Sequence, residues 1–465
     1  MLSAEAKISQ SPLDWLARFV AETRFDDLPA AIVAKAKIHI LDTLGAALAG
    51  TRSREFISVA GMVGPGGGAQ IWGTRRTASA RDAALANGVA AHVFELDDTG
   101  GCDHSGAVVI PAVLAALSSA PQPISGRDLI TAIVVGYDVA RRLLEAAGGY
   151  DAHNGAGWHS TSTCGPIGAA AAVAHLWRLP VEACRHAMTL STSFSSGLWA
   201  FIHDGSQAKK IHAGRAAEGG MLAAELARGG FAGPTQVFDE VWGGFFRSFN
   251  HAPGDLAKFT DGLGEVWKLG RVSLKPYASC RGAHSAVDAL SDILLETGRA
   301  GREIAAIDIR LSAMLMGMCG KIETASLAGA QMSLGYALAA RAILGTAGLD
   351  AYPVERRNDP QITAFCERIR FSVDTSMQAL DEPVINVCFQ DGARFSRMVP
   401  RATGSPERPM TPAAIDGKFR ALAGMALAPE AVDKLHATVI ALDGLDDVRL
   451  LENLLAGDPA TTVFL

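Results

Sequence analysis

From Ser11 to about Gly230, apolar residues recur at three- and four-residue spacing, the period of helices with a buried face. The stretch AAIVAKAKIHILDTLGAALAG is the clearest case, and Gly50 at its end predicts a C-cap. ARDAALANGVAAHVFEL, SGAVVIPAVLAALSSA, SGRDLITAIVVGYDVARRLLEAAGG, PIGAAAAVAHLWRL, PVEACRHAMTLSTSFSSGLW and AGRAAEGGMLAAELARGG continue the series. Start signals agree: Ser11 precedes Pro12 at a first helical position, and Ser125 is placed as an N-cap. The density of Ala and Gly predicts helices packed on all sides.

The pattern changes near Gly270. Ile307, Ile309 and Leu311 alternate as in a half-buried strand. RIRFSVD is a second strand, and VINVCFQDGARFSRMV predicts two more joined at Asp391-Gly392 by a type I′ turn. Helical stretches AHSAVDALSDILLETG and ASLAGAQMSLGYALAARAILG lie between them. After a Pro-rich linker, RATGSPERPMTPAA, two or three helices close the chain. The fold class is therefore mainly α: residues 1–269 plus 401–465 as an all-helical domain, and 270–400 as a smaller α+β domain.

Composition narrows the function. Of the 465 residues, 49% are hydrophobic and 19% charged, enough apolar surface for a large core. A net charge of −6 argues against nucleic acid as a partner. The apolar runs are too short to span a bilayer, and the N-terminus lacks a cationic and apolar leader pattern. Seven cysteines without a C-x-x-C pair fit reduced thiols and a cytoplasmic location.

Four segments place polar residues at helix boundaries. ELDDTGGCDHSG holds Glu95, Asp98, Thr99 and His104. Caps and solvated carboxylates are the ordinary reading of any one of them. Asp98, Cys102 and His104 lack the paired spacing of a structural zinc site, so no metal is expected. GAGWHSTSTCGP sets His159 just before a helix. DGSQAKKIHAG sets Lys209 and Lys210 before another, where a helix N-terminus favours an anion. SLKPYASCRGAHSAVDAL carries Lys275, Tyr277, Arg281 and His284, with Arg281 able to clamp a carboxylate. VGPGGGAQIWG lacks the order of a nucleotide loop and reads as a turn. Histidines beside lysines and an arginine suit proton transfer next to a carboxylate, with cations to stabilise the developing charge.

Taken in order, FELDDTGGCDHSGAVVIPAVLA, GWHSTSTCGPIGAAAA, AKKIHAGRAAEGG, GGFAGPTQVFD, KPYASCRGAHSAVDA and AQMSLGYALA resemble the MmgE/PrpD family over nearly the whole chain. The resemblance implies an all-helical domain with an inserted α+β domain, an active site in the cleft, a homodimer, and no metal or organic cofactor. It matches His104, His159, Lys209, Lys275, His284 and Thr99 to family positions. Glu95 stands where an Asp is usual, and the loop between Thr99 and His104 is shortened and glycine-rich. Cys280 replaces a histidine of the family's decarboxylases, and Met316 or Met318 falls near their active-site tyrosine.

The expectation is a cofactor-free lyase that dehydrates or hydrates a small di- or tricarboxylate such as a 2-methylcitrate-like hydroxy acid. His104 and His159 would share the roles of base and acid. Lys209, Lys275, His284 and Arg281 would neutralise carboxylates, Glu95 would set a histidine tautomer, and Thr99, Asp98 and Tyr277 would contact substrate. An epimerase using the same two bases, a cis-aconitate-type decarboxylase and an inactive carboxylate-binding protein are the rival readings.

Overall fold

In the computed structural model, residues 11–457 and 464 are described. The leader-free reading of residues 1–10 lies outside them. Ser11 caps helix α1 (Pro12–Glu22): its hydroxyl accepts the Asp14 N–H at 3.2 Å, and Asp14 answers at the Ser11 N–H. The same reciprocal pairing of Ser125 and Asp128 starts the helix Gly126–Ala146.

The helical body follows the apolar periodicity: α2 (Ala30–Gly50), α3 (Ala80–His92), α4 (Gly106–Ala116), α5 (Gly126–Ala146), α6 (Gly165–Leu176), α7 (Val181–Ser191) and α8 (Ala208–Arg228). A two-residue antiparallel ribbon, β1 (Ala69–Gln70) with β2 (Thr77–Ala78), follows the glycine turn. Every residue of α4 is buried, as a helix apolar on all sides must be. Small residues permit this packing. A side chain on Gly88 of α3 would meet the Gly214 Cα of α8 at 2.7 Å. Gly50 plays the same part rather than capping α2. The cap is Thr51, and a Cβ on Gly50 would collide with the Ala90 carbonyl of α3.

Beyond Leu274 the chain builds a four-stranded sheet in the order β4-β3-β5-β6, from β3 (Ile304–Leu311), β4 (Ile369–Val373), β5 (Val384–Phe389) and β6 (Arg394–Met398). β3 runs parallel to β4 and antiparallel to β5, pairing Ile307 with Val387 and Ile309 with Ile385. Its buried residues, Ile304, Ile307, Ile309 and Leu311, face α9 (His284–Thr297) and α10 (Leu334–Leu344) in a shared apolar cluster. The β5–β6 hairpin turns at Asp391-Gly392, but only Gly392 has a positive φ, 87°. It is thus a type I turn with glycine in the left-handed bulge position, not type I′. The single helix expected over ASLAGAQMSLGYALAARAILG is broken in two, Leu327–Gln331 and α10: Ser333 leaves the helix to cap α10, accepting the Tyr336 N–H at 3.0 Å.

Helices α11 (Pro412–Ala423) and α12 (Pro429–Ile440) return to the helical body. α11 lies on α2, with Phe419 against Gly45 and Lys418 Nζ 2.7 Å from Asp42. Two apolar clusters result. One joins α1–α8 to Phe419, Val432 and Leu435; the other joins the sheet, α9 and α10 to Val93, Phe94, Leu96, Phe201 and Ile202. Among the described residues no helix is long and apolar enough to cross a membrane, and all seven cysteines are free.

Candidate active site

The segment after α3 is drawn into the second cluster. Val93, Phe94 and Leu96 bury there, and Glu95 between them takes a left-handed φ of 55°. Such a conformation is unusual for a side chain of this size and needs compensation. Three ammonium groups provide it. Lys209 Nζ donates to both Glu95 oxygens at 2.7 and 2.6 Å, Lys210 Nζ to Oε1 at 2.8 Å, and Lys275 Nζ to Oε2 at 3.3 Å and the Glu95 carbonyl at 3.1 Å. All four side chains are buried. Burial alone would raise the Glu95 pKa, but Lys209, Lys210 and Lys275 outweigh it and hold the carboxyl well below its usual range. Lys209 and Lys210 lie within the first turn of α8, not ahead of it. Lys210 also reaches Gln331 Oε1 at 2.9 Å.

Four histidines pack beside this cluster. His104 Nδ1 lies 3.0 Å from Asp97 Oδ2 and 2.9 Å from the Asp98 carbonyl oxygen. Both neighbours are acceptors, so Nδ1 carries hydrogen and Nε2 faces Asp103 Oδ2 at 3.5 Å. His159 Nε2 lies 3.5 Å from the same oxygen and 3.2 Å from Thr161 Oγ1. On its other side, His159 Nδ1 is 2.9 Å from His212 Nδ1, so one ring donates to the other. His92 Nδ1 shares Asp97 at 3.1 Å.

The two central imidazoles are pushed apart. Burial opposes charge on His104, yet Asp103 and Asp97 raise its pKa above the usual histidine value. Burial lowers His159 to about 3, with His212 and Lys209 adding to it against the pull of Asp103. His212 falls to about 4, chiefly by burial. Asp97 and Asp103 both overcome burial through their histidines and stay ionised below the ordinary carboxylate range. The orienting part expected of Glu95 therefore falls to Asp97; Glu95 balances lysines.

Above Asp103 opens a cavity of about 340 Å³ between the helical body and the sheet-bearing part. Thr99 and Asp103 form its floor, and Thr99 Oγ1 donates to Asp103 Oδ1 at 3.1 Å. Thr99 is pinned by a two-way backbone bridge to Ser273, 3.0 and 2.8 Å, two residues before Lys275. Arg141, Tyr150 and Arg271 line one wall. Arg281, Leu315 and Met318 line another, with Arg281 paired to Glu382 at 2.6 Å.

Other expected contacts lie elsewhere. The Asp98 carboxylate points away from the cavity, accepting from Tyr137 at 2.5 Å and the Gly106 N–H at 3.0 Å, with His39 Nδ1 at 3.0 Å. Asp98 thus caps α4, while Ser105 accepts the Cys102 N–H. Tyr277 donates to Asp288 at 2.6 Å, and Asp288 also holds the Thr403 N–H. Neither Asp98 nor Tyr277 lines the cavity. His284 is buried, its Nε2 3.2 Å from the Ser279 carbonyl and its Nδ1 without a hydrogen-bond partner among the described residues. Burial, then Lys275 and Arg281, keep it neutral.

Two donor sets among the described residues have metal-like spacing: His92, Glu95 and His104, and Asp103, His104 and His159. In the first, Glu95 already meets three ammonium groups, which supply the positive charge a cation would bring. Asp98 and Cys102 belong to neither set.

Sequence reasoning missed His92, Asp97, Asp103, His212, Arg141 and Tyr150. His212 carried a signal, since it follows Lys209 by three residues and so shares its helix face. Arg141 and Tyr150 carried none.

The MmgE/PrpD N-terminal domain model matches residues 14–255, and the C-terminal domain model matches 277–443. The chain belongs to the MmgE/PrpD family. Relatives along its length include the cis-aconitate decarboxylase of Aspergillus terreus, 27% identical over 482 aligned residues and covering 97% of each chain. Those of Mus musculus and Homo sapiens are 26% and 27% identical, over 93% and 92% of this chain and 91% and 90% of theirs. These relatives are named as enzymes, cis-aconitate decarboxylases.

Proposed function

We propose that the protein is an acid–base lyase of a small di- or tricarboxylate, with elimination of water from a hydroxy acid as the leading reaction. The observation that carries this reading is the split of His104 and His159 about Asp103, one raised and one lowered in pKa. Environments that drive two titratable groups apart assign the acid and the base. Neutral His159, its Nδ1 engaged with His212, accepts the proton from the carbon next to a carboxylate. Imidazolium His104 donates to the departing hydroxyl. The C–H and C–O bonds break, a C=C bond forms and water leaves. Lys209 and Lys275 stabilise the charge that builds on the substrate carboxylate, and Thr99 orients it.

Elimination uses both an acid and a base, whereas decarboxylation needs a proton donor alone, which favours the first. Cys280, which the family resemblance sets where the decarboxylases carry a histidine, points the same way. Decarboxylation is the second reading, favoured by the names of the relatives. Incubation with a panel of hydroxy- and unsaturated di- and tricarboxylates in D2O, followed by NMR, separates them. Loss or gain of water supports elimination, and release of CO2 supports decarboxylation. Deuterium exchange at constant formula makes the protein an epimerase. No exchange and no turnover with any member overturns the lyase reading.

A further inference from the structure

Asp103 separates the cavity from the two imidazoles. It lines the cavity floor while His104 and His159 do not, and its carboxylate makes the contacts a bound carboxylate would make. One oxygen accepts the Thr99 hydroxyl at 3.1 Å; the other stands 3.5 Å from both His104 Nε2 and His159 Nε2. The side chain is 9% exposed. The backbone that holds it there is strained, with φ of 101° at Asp103. Beside this loop, Arg141, Lys268 and Arg271 all converge on one carboxylate, Glu145, at 2.8, 2.8 and 3.1 Å. Arg141 also touches the loop at the Gly101 carbonyl, 3.4 Å away. Three cations to one anion leave positive charge beside the loop that can receive a displaced carboxylate.

We infer that Asp103 is an internal stand-in for a substrate carboxylate, seated between Thr99, His104 and His159, and that substrate binds by displacing it toward Arg141. The inference rests on the carboxylate-lyase reading above. A substrate carboxylate entering the seat takes over the Thr99 hydroxyl and brings the carbons beside it within reach of the two Nε2 atoms, so the acid–base pair survives the exchange. The resident carboxylate acts as a competitor at high local concentration, and the free protein binds carboxylates more weakly for it.

The test is titration calorimetry with succinate, a dicarboxylate with no group to eliminate, on the parent protein and on Asp103→Gly and Asp103→Asn. Glycine tolerates the positive φ and empties the seat; asparagine keeps the shape and removes the charge. At least tenfold tighter succinate binding in Asp103→Gly, a smaller gain in Asp103→Asn, and a KM lowered more than kcat with the active substrate are expected. Unchanged or weaker binding in both variants, with both still folded by circular dichroism, overturns the stand-in. Turnover by the parent with that result leaves the lyase reading intact; no carboxylate binding or turnover by any of the three proteins removes that reading and the inference with it.

Discussion

His104 and Asp97 meet through Nδ1 and Oδ2 at 3.0 Å, and this contact fixes which nitrogen of the ring is left for chemistry. His104→Gln is expected to lower kcat/KM by roughly 10²- to 10⁴-fold, the usual weight of a general acid or base. Asp97→Asn should cost less, because the Asp98 carbonyl still holds Nδ1. Steady-state kinetics on the active carboxylate decides this. An Asp97→Asn enzyme more impaired than His104→Gln would contradict the assignment.

The pH profile of kcat/KM should be lopsided. His159 stays neutral down to about 3, so no acid limb appears near the usual histidine value. His104 is needed protonated and holds its proton above that value, so activity falls on the alkaline side. Asp97→Asn removes one carboxylate that raises His104 and should move the alkaline limb to lower pH. An acid limb close to the ordinary histidine pKa would exchange the roles of the two rings.

Glu95→Gln should destabilise the protein by roughly 3–5 kcal/mol, since it strands buried ammonium groups. The sign with pH follows from the depressed Glu95 pKa. The contribution is complete above the unfolded value, about 4.3, and is lost as pH falls through the folded one. Urea midpoints of parent and variant should therefore differ most near neutrality and converge below about pH 4. A constant gap across that range would mean the effect is packing.

Tyr277→Phe should act on stability alone. It removes a buried partner of Asp288 and should cost about 1–3 kcal/mol in urea unfolding. Its kcat/KM should remain close to the parent value, because the hydroxyl faces away from the cavity. A large rise in KM would return Tyr277 to substrate binding.

Gly50→Ala places a methyl group against the Ala90 carbonyl and should lower stability by about 1–3 kcal/mol through overpacking of α2 on α3. A thermal melt reads the change directly.

The fold was largely legible, because its signals are local. Ser11 and Ser125 mark helix starts, and Ile307, Ile309 and Leu311 mark a strand face without reference to anything distant. Misreadings came where a distant contact decides. Gly50 looks like a cap until Ala90 is placed beside it, and Ser333 breaks a helix whose apolar period runs straight through it. The site divides in the same way. Glu95, His104, Lys209 and Lys275 stand in recognisable motifs, but the partners of Glu95 lie 114, 115 and 180 residues away. Asp103 sits next to His104 and reads as an ordinary loop carboxylate, because its meaning comes from His159, which the chain reaches only after three more helices.

The lysines on Glu95 have a bearing on how the chain matures. Lys209 and Lys210 come from α8 of the helical body, whereas Lys275 comes from the segment that leads into α9 and the sheet. A chain that has assembled only its first half exposes a strained glutamate loop with an incomplete set of counter-charges. The counter-charge of Glu95 is therefore complete only when both halves of the chain have docked, which ties the buried carboxylate to the joining of the helical body and the sheet-bearing part.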